Sequence, residues 1–274
     1  MKKWLGNLLL GLVLLCGIAL FSYPAVSNWI NTRIAFNVIG TYQEQMEQLS
    51  DEEIESRKAA AKEYNESLSN GRSYVPYGDE ERSSIDLLDP GEMLGYLEIP
   101  KISVNLPIYE GTSAAVLQKG VGHLINTSLP VGGKGSHVAL SAHRGLPAAK
   151  LFTDLDKLEE GDYFYVYAMD ETLAYQVDKI QVIDPYIGDE LDIEKDKDYV
   201  TLITCTPLGV NSHRLLVRGV RVAYEQKTAD ELDEMYQAQP DIRWYLVALM
   251  AACILGIFFE MYRVRKRANH EKRK

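Results

Sequence analysis

The stretch Tyr199-Val-Thr-Leu-Ile-Thr-Cys205-Thr-Pro-Leu-Gly-Val-Asn-Ser-His-Arg214-Leu-Leu-Val-Arg-Gly-Val-Arg-Val222 decides the fold. Two runs of β-branched and apolar residues, 199–204 and 215–222, flank Pro207, Gly209 and Asn211, residue types that end a ladder and turn the chain. Paired antiparallel, the two strands set Cys205, at the end of one, beside Arg214, at the opening of the other. The same texture recurs upstream at 94–99, 104–109, 121–125, 137–142, 163–168 and 173–183, each run bounded by turn residues. Eight short strands predict a mainly β domain closed as a barrel or stacked as a sandwich. The segment 151–158 (LFTDLDKL) predicts a short helix within it.

Both ends of the chain differ from this middle. Residues 4–23 form an uncharged apolar run of 20 residues, about the 30 Å of a hydrocarbon core as a helix. Residues 244–262 form a second run, with Trp and Tyr at its ends and Glu260 near its exit. Lys2 and Lys3 precede the first, and a basic tail follows the second. The positive-inside rule therefore places both termini in the cytoplasm and the domain between them outside the cell. A cleaved signal peptide is the alternative for the first run, with Ala25-Val26-Ser27 as its processing site. In either case the middle domain is extracellular.

Between these ends, Glu, Gln, Lys and Ala recur with apolar residues at helical spacing. Thr41 with Glu44, and Ser50 with Glu53, each fit a capping box. One or two amphipathic helices are predicted here, serving as a spacer. Residues 70–91 are rich in Gly, Pro, Ser and charge and read as a linker. The organisation expected is thus a membrane segment over 1–23, a helical spacer and reduced lid region over 24–93, the barrel over 94–224, a juxtamembrane linker over 225–243, a transmembrane helix over 244–262 and a cytoplasmic tail over 263–274.

The chain is 46% apolar and 25% charged, with a net charge of −10. Because the two ends are basic, the segment between the apolar runs is more acidic than the total, which excludes a nucleic-acid surface. No metal-ligand cluster is spaced along the chain, and no cofactor is expected. Of three cysteines, Cys16 and Cys253 fall inside the apolar runs, leaving Cys205 alone in the outer domain. With no partner there for a disulfide, it is either a working thiol or a buried inert residue. A working thiol for acyl transfer needs a proton donor and a group that holds an oxyanion. Arg214 offers the latter by its position. For the former the candidates are His123, His137, His143 and His213: His143 sits at a strand end, His213 alternates away from the face of Arg214, and His123 and His137 read as half-buried strand residues.

At these residues the sequence resembles a known family. Thr201-Leu-Ile-Thr-Cys205 is similar to the Thr-Leu-x-Thr-Cys signature of sortases, the membrane-anchored cysteine transpeptidases of Gram-positive bacteria, and the likeness takes in Leu140-Ser-Ala-His-Arg-Gly145 and Asn211-Ser-His-Arg-Leu-Leu-Val-Arg218. The run from Thr204 to Arg214, the basic tail and the second apolar run resemble class C, the pilin-polymerising sortases. The resemblance implies an eight-stranded barrel with flanking helices, and Cys205 as nucleophile on the Thr–Gly carbonyl of a Leu-Pro-x-Thr-Gly-like signal. It implies His143 as proton donor and acceptor and Arg214 as the group that holds substrate and oxyanion. The implied partners are pilin subunits carrying the signal and an acceptor lysine, with a separate housekeeping sortase for wall attachment. Two other readings stand beside it: a sortase that joins proteins to peptidoglycan cross-bridges, and a noncatalytic anchored barrel with Cys205 inert. Class C members resemble one another in an Asp-Pro-aromatic lid; here only Asp89-Pro90-Gly91 lies upstream, and Asp184-Pro185-Tyr186 falls late in the barrel, so an open or reduced lid is expected.

Overall fold

The computed structural model describes residues 2–69, 93–185 and 189–225, together with 248, 251, 252, 256 and 263. The second apolar run lies almost wholly outside the described residues, as do the linkers at 70–92 and 226–243 and the tail beyond Arg263.

Helix α1 runs without interruption from Lys2 to Gln48 and α2 from Asp51 to Ser69. Eight strands follow: β1 (Met93–Ile99), β2 (Val104–Glu110), β3 (Val121–His123), β4 (Ser136–Ser141), β5 (Tyr163–Ala168), β6 (Glu171–Ile183), β7 (Asp198–Thr206) and β8 (His213–Val222). A short helix, α3 (Ala114–Lys119), links β2 to β3. The strands close into a barrel in the order β1-β2-β3-β4-β7-β8-β6-β5. Closure leaves no exposed sheet edge. All eight predicted strands are present, to within a few residues at their ends. The segment 151–158 is not an α-helix: it is a turn followed by a single 3-10 turn at Leu155–Lys157, too short a run of helix-compatible residues to propagate.

Alternation along each strand separates two layers. Val138, Leu140, Val200, Leu202 and Val217 point inward and pack with Phe152, Phe164 and Tyr175 in the barrel core. Ala139, Ile203 and Leu216 point outward and are covered by Leu191 from the loop between β6 and β7. Gly95 makes a bulge in β1 possible: at φ +146 it brings its Cα against the Tyr167 carbonyl, where a Cβ would collide with the oxygen.

The two helices do not stand apart from the barrel. Ile39, Tyr42 and Met46 of α1 bury against Met93, Tyr96 and Tyr109. Tyr42 Oη accepts from the Met169 N–H at 2.8 Å, and Asn31 Nδ2 donates to the Ala148 carbonyl at 2.7 Å. The α2 helix begins at the predicted Ser50–Glu53 capping box, closed in both directions. Thr41 instead lies inside α1, where its hydroxyl donates back to the Asn37 carbonyl at 3.1 Å. From α2, Asn65 exchanges two hydrogen bonds with the backbone of Leu129, and buried Lys58 reaches Asp170 and Glu171 on the β5–β6 hairpin. At the other end of α1, Leu12, Val13, Leu20 and Phe21 are exposed among the described residues, the surface a membrane anchor presents to lipid.

Candidate active site

The site lies where β4, β7 and β8 end together. β7 and β8 are antiparallel neighbours in a register that pairs Cys205 with Arg214 and Thr206 with His213. Directly opposed residues share a face, so Cys205 and Arg214 point outward together while His213 points to the other side. On its other edge β7 runs parallel to β4, with Ser141 opposite Ile203. The pairing continues past the strand end: the Ala142 N–H donates to the Ile203 carbonyl at 3.2 Å, and Thr204 Oγ1 donates to the Ala142 carbonyl at 2.8 Å. Cys205 lies two residues beyond Ile203 near the end of β7, and His143 lies two residues beyond Ser141, in the loop that leaves β4 beside it. The three residues singled out by sequence therefore lie at one barrel end, with Arg214 paired to Cys205 on one side and the loop of His143 on the other.

Their surroundings suit chemistry at a surface groove. Cys205, His143 and Arg214 are each partly exposed. Cys205 is a free thiol. Among the described residues, the Arg214 guanidinium donates only to the backbone carbonyls of Asn211 (3.3 Å) and His213 (3.1 Å). Its charge is thus not spent on a carboxylate and is available to a developing oxyanion. Two clefts, of about 490 and 170 Å³, lie between α1 and the barrel and contain none of these residues.

The loop that carries His143 is held on several sides. Its closing hydrogen bond runs from the Phe152 N–H to the His143 carbonyl at 3.1 Å. Gly145 donates to Thr153 Oγ1 at 3.0 Å, and Asn28 of α1 accepts from the Lys150 N–H at 2.7 Å. Gly145 has φ +75, and a Cβ there would collide with Leu208 Cδ1 of the β7–β8 loop, so the two loops touch across the groove. Sequence reasoning did not assign Arg144, whose Nη2 lies 2.5 Å from Asp156 and whose Nη1 donates to Thr206 Oγ1 at 3.2 Å. The signal was the basic residue next to His143.

The remaining histidines sort by burial. His123 and His137 are fully buried, further than the half-burial expected of them. His123 Nε2 donates to the Ser128 carbonyl (2.9 Å), and His137 bridges the Asp192 carbonyl (2.9 Å) and Thr201 Oγ1 (2.8 Å). Burial pushes both imidazoles below their ordinary pKa. His213 instead is exposed, with Ser212 Oγ 2.8 Å from Nδ1 and Asp184 3.6 Å from Nε2. Asp184 thus belongs to the end of β6, while Tyr186 and the Asp89-Pro90-Gly91 triplet lie outside the described residues.

Comparison with known proteins matches this region. The sortase domain model fits residues 97–222. A sortase C crystal structure from Streptococcus pneumoniae is 43% identical, with a TM-score of 0.64, over 69% of this chain and 97% of that one. The sortase C1 of group B streptococcus (GBS) pilus island 1 is 44% identical, with a TM-score of 0.66, over 70% of this chain and 94% of that one. Among curated proteins, sortase D of Bacillus subtilis is 32% identical over 49% of this chain. The match spans 66% of that relative's length, just under two thirds.

Proposed function

We propose, from the premise that this chain belongs to the sortase family, that it is a membrane-anchored transpeptidase of the pilin-polymerising kind. The observation that carries the reading is the register that sets Cys205 opposite Arg214, with His143 in the loop that leaves the neighbouring parallel strand β4 at the same barrel end. That is the minimal set for acyl transfer through a thioester: nucleophile, proton carrier and oxyanion donor. The class C assignment is supported by the sortase C structures at 43% and 44% identity. The pneumococcal structure bears on catalysis and pilin substrate specificity in that enzyme, and the streptococcal sortase C1 belongs to a pilus island.

In this mechanism Cys205 passes its thiol proton to His143 as Sγ attacks the carbonyl carbon of the threonine in a Leu-Pro-x-Thr-Gly-like signal. The tetrahedral oxyanion is held by Arg214. As the Thr–Gly bond breaks, His143 gives its proton to the glycine nitrogen, which leaves as an amine, and a thioester remains on Cys205. An incoming lysine amine of the next pilin subunit then attacks that thioester. His143 accepts a proton from the attacking nitrogen and passes it to the departing sulfur as the C–S bond breaks, so that the thiol is restored and an isopeptide bond is formed. The apolar half of α1 anchors the chain, with the barrel on the extracellular face. The 244–262 run supplies a second span, and both termini lie in the cytoplasm. An open or reduced lid leaves Cys205 reachable in the resting protein in this reading.

The test is incubation of the full chain with pilin subunits bearing the signal and mapping of new bonds by mass spectrometry. A Thr-to-lysine isopeptide bond, absent with Cys205→Ala, is expected. A product joined only to a wall-type amine assigns the chain to peptidoglycan attachment instead, and polymers unchanged by Cys205→Ala leave the barrel as a scaffold.

A further inference from the structure

Arg144 is buried where an arginine is costly. Its side chain is only 9% exposed, and a guanidinium stays charged at any relevant pH. Arg144 lies three residues past the end of β4, in the loop that carries His143, and its side chain reaches the end of β7 at the mouth of the barrel. The inward phase of β7 reaches Thr206 at the same level, behind Cys205. The guanidinium connects the two: Nη1 donates to Thr206 Oγ1 at 3.2 Å. Nη2 is 2.5 Å from Asp156 Oδ2, which supplies the counter-charge. The Nε–H is buried with no hydrogen-bond partner. An unsatisfied buried donor costs about 1–3 kcal/mol. The side chain is therefore placed by its two Nη contacts, at the cost of leaving Nε unsatisfied.

The consequence is a short closed circuit around the reacting pair. His143 is bonded covalently to Arg144, Arg144 is hydrogen-bonded to Thr206, and Thr206 is bonded covalently to Cys205. The other links between the β4 and β7 ends, Ala142 to Ile203 and Thr204 to Ala142, lie further from the reacting groups. We propose that Arg144 is a positioning residue: by gripping Thr206 it fixes the separation of the Cys205 thiol and the His143 imidazole, and Asp156 holds it in the geometry to do so. The proposal rests on the transpeptidase reading of the same site. It assigns Arg144 no contact with substrate.

The circuit can be opened at its hydrogen bond without removing the charge. Thr206→Val keeps shape and deletes the acceptor, and Arg144→Lys keeps the charge but loses the fork that spans Thr206 and Asp156. Each variant of the full chain in detergent is assayed for kcat and KM on a sorting-signal peptide, and for the pH dependence of Cys205 alkylation by iodoacetamide. Misplacing a reacting group by about 1 Å costs up to about 100-fold in rate. Thr206→Val is expected to lower kcat about tenfold or more with KM within about twofold, on that same basis. Its alkylation profile is expected to move toward that of His143→Ala, a shift that a role in barrel stability alone would not produce. Should Arg144→Lys fail to fold, Thr206→Val still carries the test. Wild-type kcat and alkylation profile in Thr206→Val, with His143→Ala inactive, would overturn the positioning role and leave the transpeptidase reading intact. Retained turnover in His143→Ala would sink both.

Discussion

Acidification from pH 7 to pH 5 is expected to destabilise the barrel through His123 and His137. Thr127 Oγ1 already donates to the Leu124 carbonyl at 2.7 Å, so it can only accept from His123, and Nε2 of that ring carries the proton. Its Nδ1 is left buried with no partner, and a second proton there would have no acceptor. In His137, Nδ1 faces the Asp192 carbonyl and must donate, which leaves Nε2 to accept from the Thr201 hydroxyl. Both rings are thus neutral by geometry, and burial holds both pKa values down, with Arg218 adding repulsion at His137. A depressed folded-state pKa means that the unfolded chain binds protons the folded chain refuses. The stabilisation is therefore complete above the unfolded pKa of about 6.5 and is lost as pH falls below it. With an unfolded value of about 6.5, each ring that stays neutral in the fold costs up to about 2 kcal/mol at pH 5, against a few tenths at pH 7. Together they remove up to about 3–4 kcal/mol from a typical reserve of about 5–15 kcal/mol. Asp198 works in the opposite direction, since burial raises its carboxyl pKa and its contribution grows on acidification. The histidine part is isolated by His137→Gln and His123→Gln. Urea unfolding, followed by the near-ultraviolet circular dichroism of the barrel tyrosines, should show a loss of stability from pH 7 to 5 that each substitution makes shallower. A slope that neither substitution changes would refute the assignment of the two rings as neutral and buried.

Other substitutions test the packing and the site. Gly219→Ala places a Cβ 2.5 Å from Phe164 Cε1 in the barrel core, and overpacking of about 1–3 kcal/mol should appear as a lowered Tm; an unchanged Tm would contradict the packing. Lys58 is 7% exposed and paired with Asp170, Glu171 and, at 3.4 Å, Glu55, so the double change Asp170→Asn with Glu171→Gln leaves a buried ammonium with only the more distant, exposed Glu55 carboxylate. That double variant should lose about 1–2 kcal/mol more than Lys58→Met, discounted for the half-exposed carboxylates, and the reverse order in urea unfolding would refute the ion-pair geometry. Cys205 should be alkylated readily by a small thiol reagent in the resting chain. Protection that disappears on deleting residues 69–91 would show a closed lid instead.

Much of this architecture was legible because barrels write their period into the sequence. Strands β5, β7 and β8 stand out as short runs of β-branched, aromatic and apolar residues, with β7 ended by Thr206-Pro207 and the turn at Gly209–Asn211. Antiparallel pairing across that turn sets Cys205 beside Arg214, and the observed register does so. His143 was harder. It joins Cys205 through a parallel β4–β7 pairing between strands 57 or more residues apart, and no local pattern encodes that contact. The docking of α1 and α2 was also hidden. Their apolar residues announced amphipathic helices, but Asn31 to Ala148 and Asn65 to Leu129 are polar contacts between distant segments. The helix expected at 151–158 failed because LFTDL satisfies the core through Phe152 and Leu155 in a turn, where its Asp154 is paired with Lys150 and Lys157. Arg144 has no local pattern that assigns it a role, because its partners Thr206 and Asp156 come from segments distant in sequence.

The central claim is that Cys205 carries the acyl group. Intact-mass measurement of the full chain mixed with a peptide bearing a Leu-Pro-x-Thr-Gly-like signal tests it most directly. The expected result is an added mass equal to the peptide up to its threonine, sensitive to hydroxylamine and absent in Cys205→Ala. An adduct of the same mass in Cys205→Ala, or cleavage of the peptide by that variant at the wild-type rate, would contradict it.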